Sequence, residues 1–240
     1  DSQQLLSIIT NVFKKREVES DGVKRCKYSR FILHLKDKEG AGTVIKQLES
    51  VFSLNKDPFT AQLIARFYIE IKDWTSAEKW ALKAINMRPD SSFLWDTYGQ
   101  VYKSQLFDKT TMKTVDARDV LKGSEIHELI TLTNNCLTAF RKEQQISERE
   151  TSTFEENNFA GYFGELRAIV MLLNLLRLSP CFKGDNTLHT FLVDRHFKPA
   201  ELNFLSETEC TFLKTLESSS KDAMRRLDDE YLQMKENKLV

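Results

Sequence analysis

The sequence predicts an all-α fold, a tetratricopeptide-like helical-repeat superhelix (an α-α superhelix) of about ten helices. Three observations carry that reading. Gly and Pro number only 8 and 4 in 240 residues, well under the roughly 12% they make up in an average protein, so the chain has few turn-makers and long elements. Apolar residues return at helical spacing in segment after segment. From Pro58 onward, small and aromatic residues repeat with a 34-residue period, the length of one helix–turn–helix repeat.

The first element is an amphipathic helix over residues 4–18. Leu5, Leu6, Ile8, Ile9, Val12 and Phe13 share one side, and Lys14-Lys15-Arg16 sits where cations complement the helix dipole. Residues 19–27 read as a loop, and Phe31 to Leu35 as a short apolar segment, helical by preference. Glu39 to Gly42 reads as a turn. A helix follows from Thr43, with Val44, Ile45, Leu48, Val51 and Phe52 on its apolar side.

Asp57-Pro58 opens the first hairpin, with Asp as N-cap and Pro at the first helical position. With Pro58 as position 1, Ala61, Ile64, Ala65 and Tyr68 take positions 4, 7, 8 and 11. Ala77, Ala84 and Pro89 take positions 20, 27 and 32. The next repeat starts at Ser92, which puts Trp95, Tyr98, Gly99 and Tyr102 on positions 4, 7, 8 and 11. The helix-packing set is therefore Ala65, Ala77, Ala84, Trp95, Gly99 and Tyr102. Small members let backbones approach, and large ones fill the space between neighbours.

The second helix of this repeat is placed at residues 125–145, with Leu132, Cys136 and Ala139 on its packing side. That requires an insertion of about 21 residues beyond the period. The polar stretch near 106–123 is read as the insertion, a loop or a short extra helix. Residues 146–156 read as a linker, and Phe159 to Leu178 as a buried helix apolar nearly all round. Gly161 and Gly164 allow close backbone approach there. Residues 181–205 read as irregular. Ser206 to Glu209 matches a capping box opening a last helix that reaches roughly Asn237. The domain reading is 1–145 for the hairpins and 146–240 for helices that continue or cap the superhelix.

Chemistry is sparse. There is no phosphate-loop motif, and Gly40-Ala41-Gly42 is read as a turn. Cys181, His189, His196 and Cys210 have spacings that match no compact zinc pattern. Cys136 reads as a small hydrophobe. Asp228-Asp229-Glu230 reads as a solvated face. No catalytic residue, metal site or cofactor is assigned, and an enzyme is not expected. No segment reads as a membrane span or signal peptide. Four scattered cysteines point to a reduced compartment. The first residue is Asp, which reads as a segment of something longer.

Recognition is the remaining role. In a tetratricopeptide hairpin, positions 2, 5, 9 and 12 of the first helix face the concave side. Here these are Phe59, Gln62, Arg66 and Ile69, then Phe93, Asp96, Gln100 and Lys103. They lack the Lys/Asn clamp that grips a chaperone's terminal carboxylate, so such peptides are not expected as ligands. Lys+Arg and Asp+Glu are both 35, which disfavours a dedicated nucleic-acid domain. Residues 14–38 nevertheless carry nine bases and four acids. Their Lys14, Lys15, Arg16, Lys24, Arg25, Lys27 and Arg30 form a basic stretch suited to RNA, a ribosome or an acidic protein surface.

The runs Ile64-Ala65-Arg66-Phe67-Tyr68-Ile69, Ala77-Glu78-Lys79-Trp80-Ala81, Arg88-Pro89-Asp90 and Gly99-Gln100-Val101-Tyr102-Lys103 carry a resemblance, as does Asn158 to Gly164. In these runs the chain resembles the sterile alpha motif domain-containing 9 and 9-like family. The resemblance implies a large, interferon-inducible cytoplasmic protein that restricts poxviruses, represses translation and suppresses growth, with endosome association in its range. It also implies a layout in which this chain is the repeat region after a P-loop NTPase. Such a region serves as sensor or restraining arm and carries none of the family's catalytic residues. The expected partner is another domain of the same parent or another protein, with RNA contact or a spacer role as alternatives. The oligomeric state is left open.

Overall fold

The computed structural model describes residues 37, 39–115, 121–150, 159–182, 187–194, 197–198 and 200–237. Among these there are eight α-helices and two 3-10 turns, and no strand. The helices predicted at 4–18 and near Phe31 to Leu35 lie outside the described residues. The described helices divide into two compact units, one ending at Pro89 and the other beginning at Asp90.

The first unit holds α1 (Ala41–Asn55), α2 (Pro58–Glu70) and α3 (Trp74–Met87). Gly40 precedes α1 at φ 80°, a conformation open to glycine without steric cost. Ala41 and Gly42, expected in the turn, are already helical. α1 buries Val44, Ile45, Leu48, Val51 and Phe52, one stripe at helical spacing. At the start of α2 the Asp57 carboxylate accepts the Thr60 N–H at 2.7 Å and the Thr60 hydroxyl at 2.8 Å. Lys72 takes the left-handed conformation at φ 60°, which turns the chain sharply. Asp73 then caps α3 by accepting the Ser76 N–H at 3.1 Å. Ala61 and Ala65 on α2, with Ala77, Ala81 and Ala84 on α3, are almost wholly buried. With only methyl groups between them, the two backbones lie close. Phe52 of α1 meets Trp80 of α3 edge-on at 5.1 Å, and Lys83 Nζ lies 4.4 Å from each ring.

The second unit holds α4 (Ser92–Val115), α5 (Gly123–Glu150), α6 (Ala160–Leu176), α7 (Thr187–Val193) and α8 (Glu207–Asn237). α4 and α5 are antiparallel. Gly99, early in α4, lies against Phe140, late in α5, while Lys109 Nζ pairs with Glu128 at 2.8 Å near the other end. α6 turns back along α5, with Gly164 also against Phe140. α8 runs parallel to α5. Glu209 meets His127, Ser219 accepts from Arg141 at 2.9 Å, and Arg226 donates to Glu148 at 2.9 Å. The apolar core of this unit joins Leu106, Ile126, Leu137 and Phe140 to Ile169, Leu172, Phe191, Leu213 and Leu216.

Four sequence expectations change here. The stretch near 106–123 is not a separate loop or extra helix as far as Val115, because α4 runs straight through it. No Gly or Pro interrupts residues 100–122, and Leu106 is wholly buried, which anchors the extension. The boundary at 145/146 falls inside α5, which continues to Glu150 because Ile146 and Ser147 are still buried. Phe191-Leu192-Val193 is helical rather than irregular, with Phe191 fully buried. α6 is not buried all round, since Phe163 is 59% and Val170 54% exposed.

Candidate interaction surface

The eight residues expected on a concave face belong half to each unit. In the first, Phe59 is half-buried beneath the Arg88 guanidinium, 5.6 Å from its ring centre. Arg66 is exposed and Ile69 half-buried. Gln62 is buried at 4% exposure and is not available on an open face. The reason is that α2 is covered over much of its circumference, from Thr60, Ala61 and Gln62 to Ile64, Ala65 and Phe67. Tyr68 donates its hydroxyl to Glu49 Oε1 at 3.0 Å. Burial, then Glu49, push its pKa up to about 12.

In the second unit Phe93, Asp96, Gln100 and Lys103 are all half-buried along one side of α4. Gln100 Nε2 donates to Asp96 Oδ1 at 3.0 Å. Lys103 Nζ lies 5.7 Å from the centre of the Phe140 ring, a cation–π arrangement. Burial holds its pKa below the usual lysine range, and the Arg167 guanidinium adds to that, against the opposing pull of Asp96.

The packing residues explain why this side of α4 is held so firmly. A Cβ at Gly99 would stand 2.7 Å from the Phe140 ring, and one at Gly164 would stand 2.5 Å from it. The ring therefore fills the space between the α4 and α6 backbones. Cys136 Sγ donates to the Gly99 carbonyl at 3.6 Å, and burial raises its thiol far above the usual range. Trp95 is half-buried and meets Tyr98 edge-on at 6.1 Å. Tyr98 meets Tyr102 at 5.1 Å, and the Tyr102 hydroxyl bonds that of Tyr98 at 2.7 Å. Ala65, Ala77 and Ala84 are buried in the first unit, as small packing residues should be.

A polar network, buried at Glu165, Gln144 and Tyr162 and exposed at Arg226 and Glu148, ties α6 and α8 to α5. Glu165, 4% exposed, accepts from Arg141 Nε at 2.9 Å and from Gln144 Nε2 at 3.1 Å. Tyr162 and Arg226 both donate to Glu148 Oε1 at 2.9 Å, and burial pushes the Tyr162 hydroxyl up to about 12. Such pairing is what makes buried charge tolerable.

Among the described residues, no group of three His, Cys, Asp or Glu side chains is placed to hold a metal ion, and no helix is long and apolar enough to cross a membrane. The basic stretch from Lys14 to Arg30 lies outside the described residues.

Sequence reasoning missed four residues of α6 and one of α4. At 100° per residue, Phe107 falls on the same side of α4 as Asp96, Gln100 and Lys103. It is 65% exposed. On α6, Phe163, Arg167, Val170 and Asn174 recur at spacings of three and four and are all exposed. The only signal for them was a helix apolar on every side, which does not say which side its neighbours leave open.

The chain is similar to three curated proteins. It is 30% identical to human sterile alpha motif domain-containing protein 9 over 201 residues, covering 78% of this chain and 12% of that protein. It is 29% identical to the mouse 9-like protein over 201 residues, covering 78% and 11%. Against the human 9-like protein it is 26% identical over 161 residues, covering 60% and 10%. The chain thus spans about a tenth of the length of the curated relatives it matches. No protein-family model matches it.

Proposed function

We propose, for a chain that belongs by homology over one region to the sterile alpha motif domain-containing 9 and 9-like family, that this region is a non-catalytic helical-repeat module for protein–protein interaction. Its hairpins act as the sensor or restraining arm of a much longer parent, within the antiviral, translation-repressing and growth-suppressing role that the resemblance implies. The observation that supports this is the face shared by α4 and α6. Phe107, Phe163 and Val170 stand out into solvent there on helices fixed from beneath by Phe140. Exposed apolar side chains on a rigid frame mark interaction sites more often than catalytic ones.

The test is capture of the other domains of the parent by the isolated 240-residue chain. Retention of one domain, abolished by changes on the α4 and α6 faces, is expected. Failure to bind any domain of the parent, with no partner in cell extract either, leaves only a spacer role. A second reading rests on the net charge of +5 over residues 14–38. If that stretch engages RNA, affinity falls steeply with added salt. Reversal of Lys14, Lys15, Arg16, Lys24 and Arg25 to Glu then abolishes it.

A further inference from the structure

We infer that the α4–α6 face is a docking site for an acidic protein segment that also carries apolar side chains. The inference rests on the interaction reading above and names the chemistry of the partner. Three features define the face. The Phe140 ring, wedged between Gly99 of α4 and Gly164 of α6, brings those helices side by side at one level. One turn further along each helix stand Lys103 and Arg167. Lys103 Nζ hangs over the Phe140 ring at 5.7 Å, close enough to Arg167 to feel its charge. Around these two cations stand exposed apolar groups, Phe107 at 65%, Phe163 at 59% and Val170 at 54%.

Charge selects the occupant. Among the described residues, the carboxylate that acts on Lys103 is Asp96, which already accepts from Gln100. A carboxylate arriving between Lys103 and Arg167 relieves their mutual repulsion, and at the half-buried Lys103 that attraction is less screened than in open water. Apolar side chains on either side of that carboxylate then cover Phe107, Phe163 and Val170. The chemistry is that of an internal acidic-apolar segment, not a basic or purely polar one. Single-stranded RNA fits less well. Two cations are few for a phosphate track, and Val170 offers no ring for a base to stack on.

The test is selection of random 12-residue peptides, displayed with both termini blocked, on the 240-residue chain. Enriched peptides should combine Asp or Glu with Leu, Phe or Trp. The best of them, followed by fluorescence anisotropy, should lose at least tenfold in affinity to Arg167→Glu and to Phe163→Ser. Both positions are exposed, and an unchanged circular dichroism melt verifies that each variant folds. Lys103→Gln should weaken the same peptide. No enrichment, enrichment of basic or uncharged peptides, or affinity indifferent to Arg167→Glu and Phe163→Ser overturns the assignment. So does oligouridylate binding that competes with the peptide and is lost in the same variants. Capture of a parent domain that survives both variants leaves the interaction module standing and removes only this site.

Discussion

Phe140 has a glycine on two sides, and this decides what the core of the second unit tolerates. A methyl group added at Gly164 would approach the ring to 2.5 Å, and one at Gly99 to 2.7 Å. Moving the fully buried ring away from one glycine presses it on the other. Gly99→Ala and Gly164→Ala are each expected to cost about 1–3 kcal/mol, the usual range for overpacking. Gly42 in α1 is the control, since nothing lies within 4 Å of a Cβ there. Gly42→Ala should be neutral or stabilise by about 0.5–1 kcal/mol. Urea midpoints check all three, and a Gly164→Ala midpoint equal to that of the native chain sinks the clamp. Gly99 was legible in the sequence because the 34-residue register calls for a small residue there. Its partner was not, because nothing local in Phe140 tells which backbones will close on it.

At the level of elements, legibility followed the caps. Asp57-Pro58, Pro89 and Ser206-x-x-Glu209 all mark real helix boundaries, because each supplies a polar group or a fixed φ that the backbone needs there. α4 had no such mark after Tyr102, and its polar residues concealed that the helix went on. The capping box gives the sharpest test. Ser206 N–H donates to Glu209 Oε2 at 2.8 Å, the Glu209 N–H donates to Ser206 Oγ at 3.2 Å, and His127 Nδ1 bonds the other carboxylate oxygen. Burial pushes the Glu209 carboxyl up, but the bonds from His127 and Ser206 together outweigh it, and its pKa lies below the usual range. A depressed folded pKa stabilises fully above the unfolded value of about 4.3, and the gain is lost as pH falls through the folded value. Glu209→Gln should therefore melt below the native chain at pH 7, with the gap closing as pH drops below about 4. A gap that is the same at pH 3 and pH 7 contradicts this. Ser206→Ala should cost about 1 kcal/mol.

Over the whole molecule, the all-α class was legible because scarcity of Gly and Pro is a global property. The division between Pro89 and Asp90 was not, because the repeat period runs across it without a change of composition. The face on α4 and α6 was half legible. Lys103 came from the register, while Phe163, Arg167 and Val170 depended on which side of an apolar helix α5 and α8 leave open. The core of the second unit, from Tyr102 to Leu216, is drawn wholly from residues beyond Asp90. Residues 90–240 made alone should accordingly melt in one cooperative transition with high helicity. A broad, non-cooperative loss of ellipticity would show that this core needs the first three helices.

Helix length has a consequence for growth. α2 and α3 have 13 and 14 residues, whereas α4 and α5 have 24 and 28. At 1.5 Å per residue the second hairpin is about 40 Å long and the first about 20 Å. Identical hairpins extend a solenoid by reapplying one screw operation, and each new pair offers the next the surface it was itself offered. A hairpin of double length offers a surface that no pair of the first size can cover, so the operation that made one step cannot make the next. Within the second unit, α4 and α5 are accordingly completed by other helices rather than by a copy of themselves, with α6 and α8 packed along α5 from His127 to Glu148.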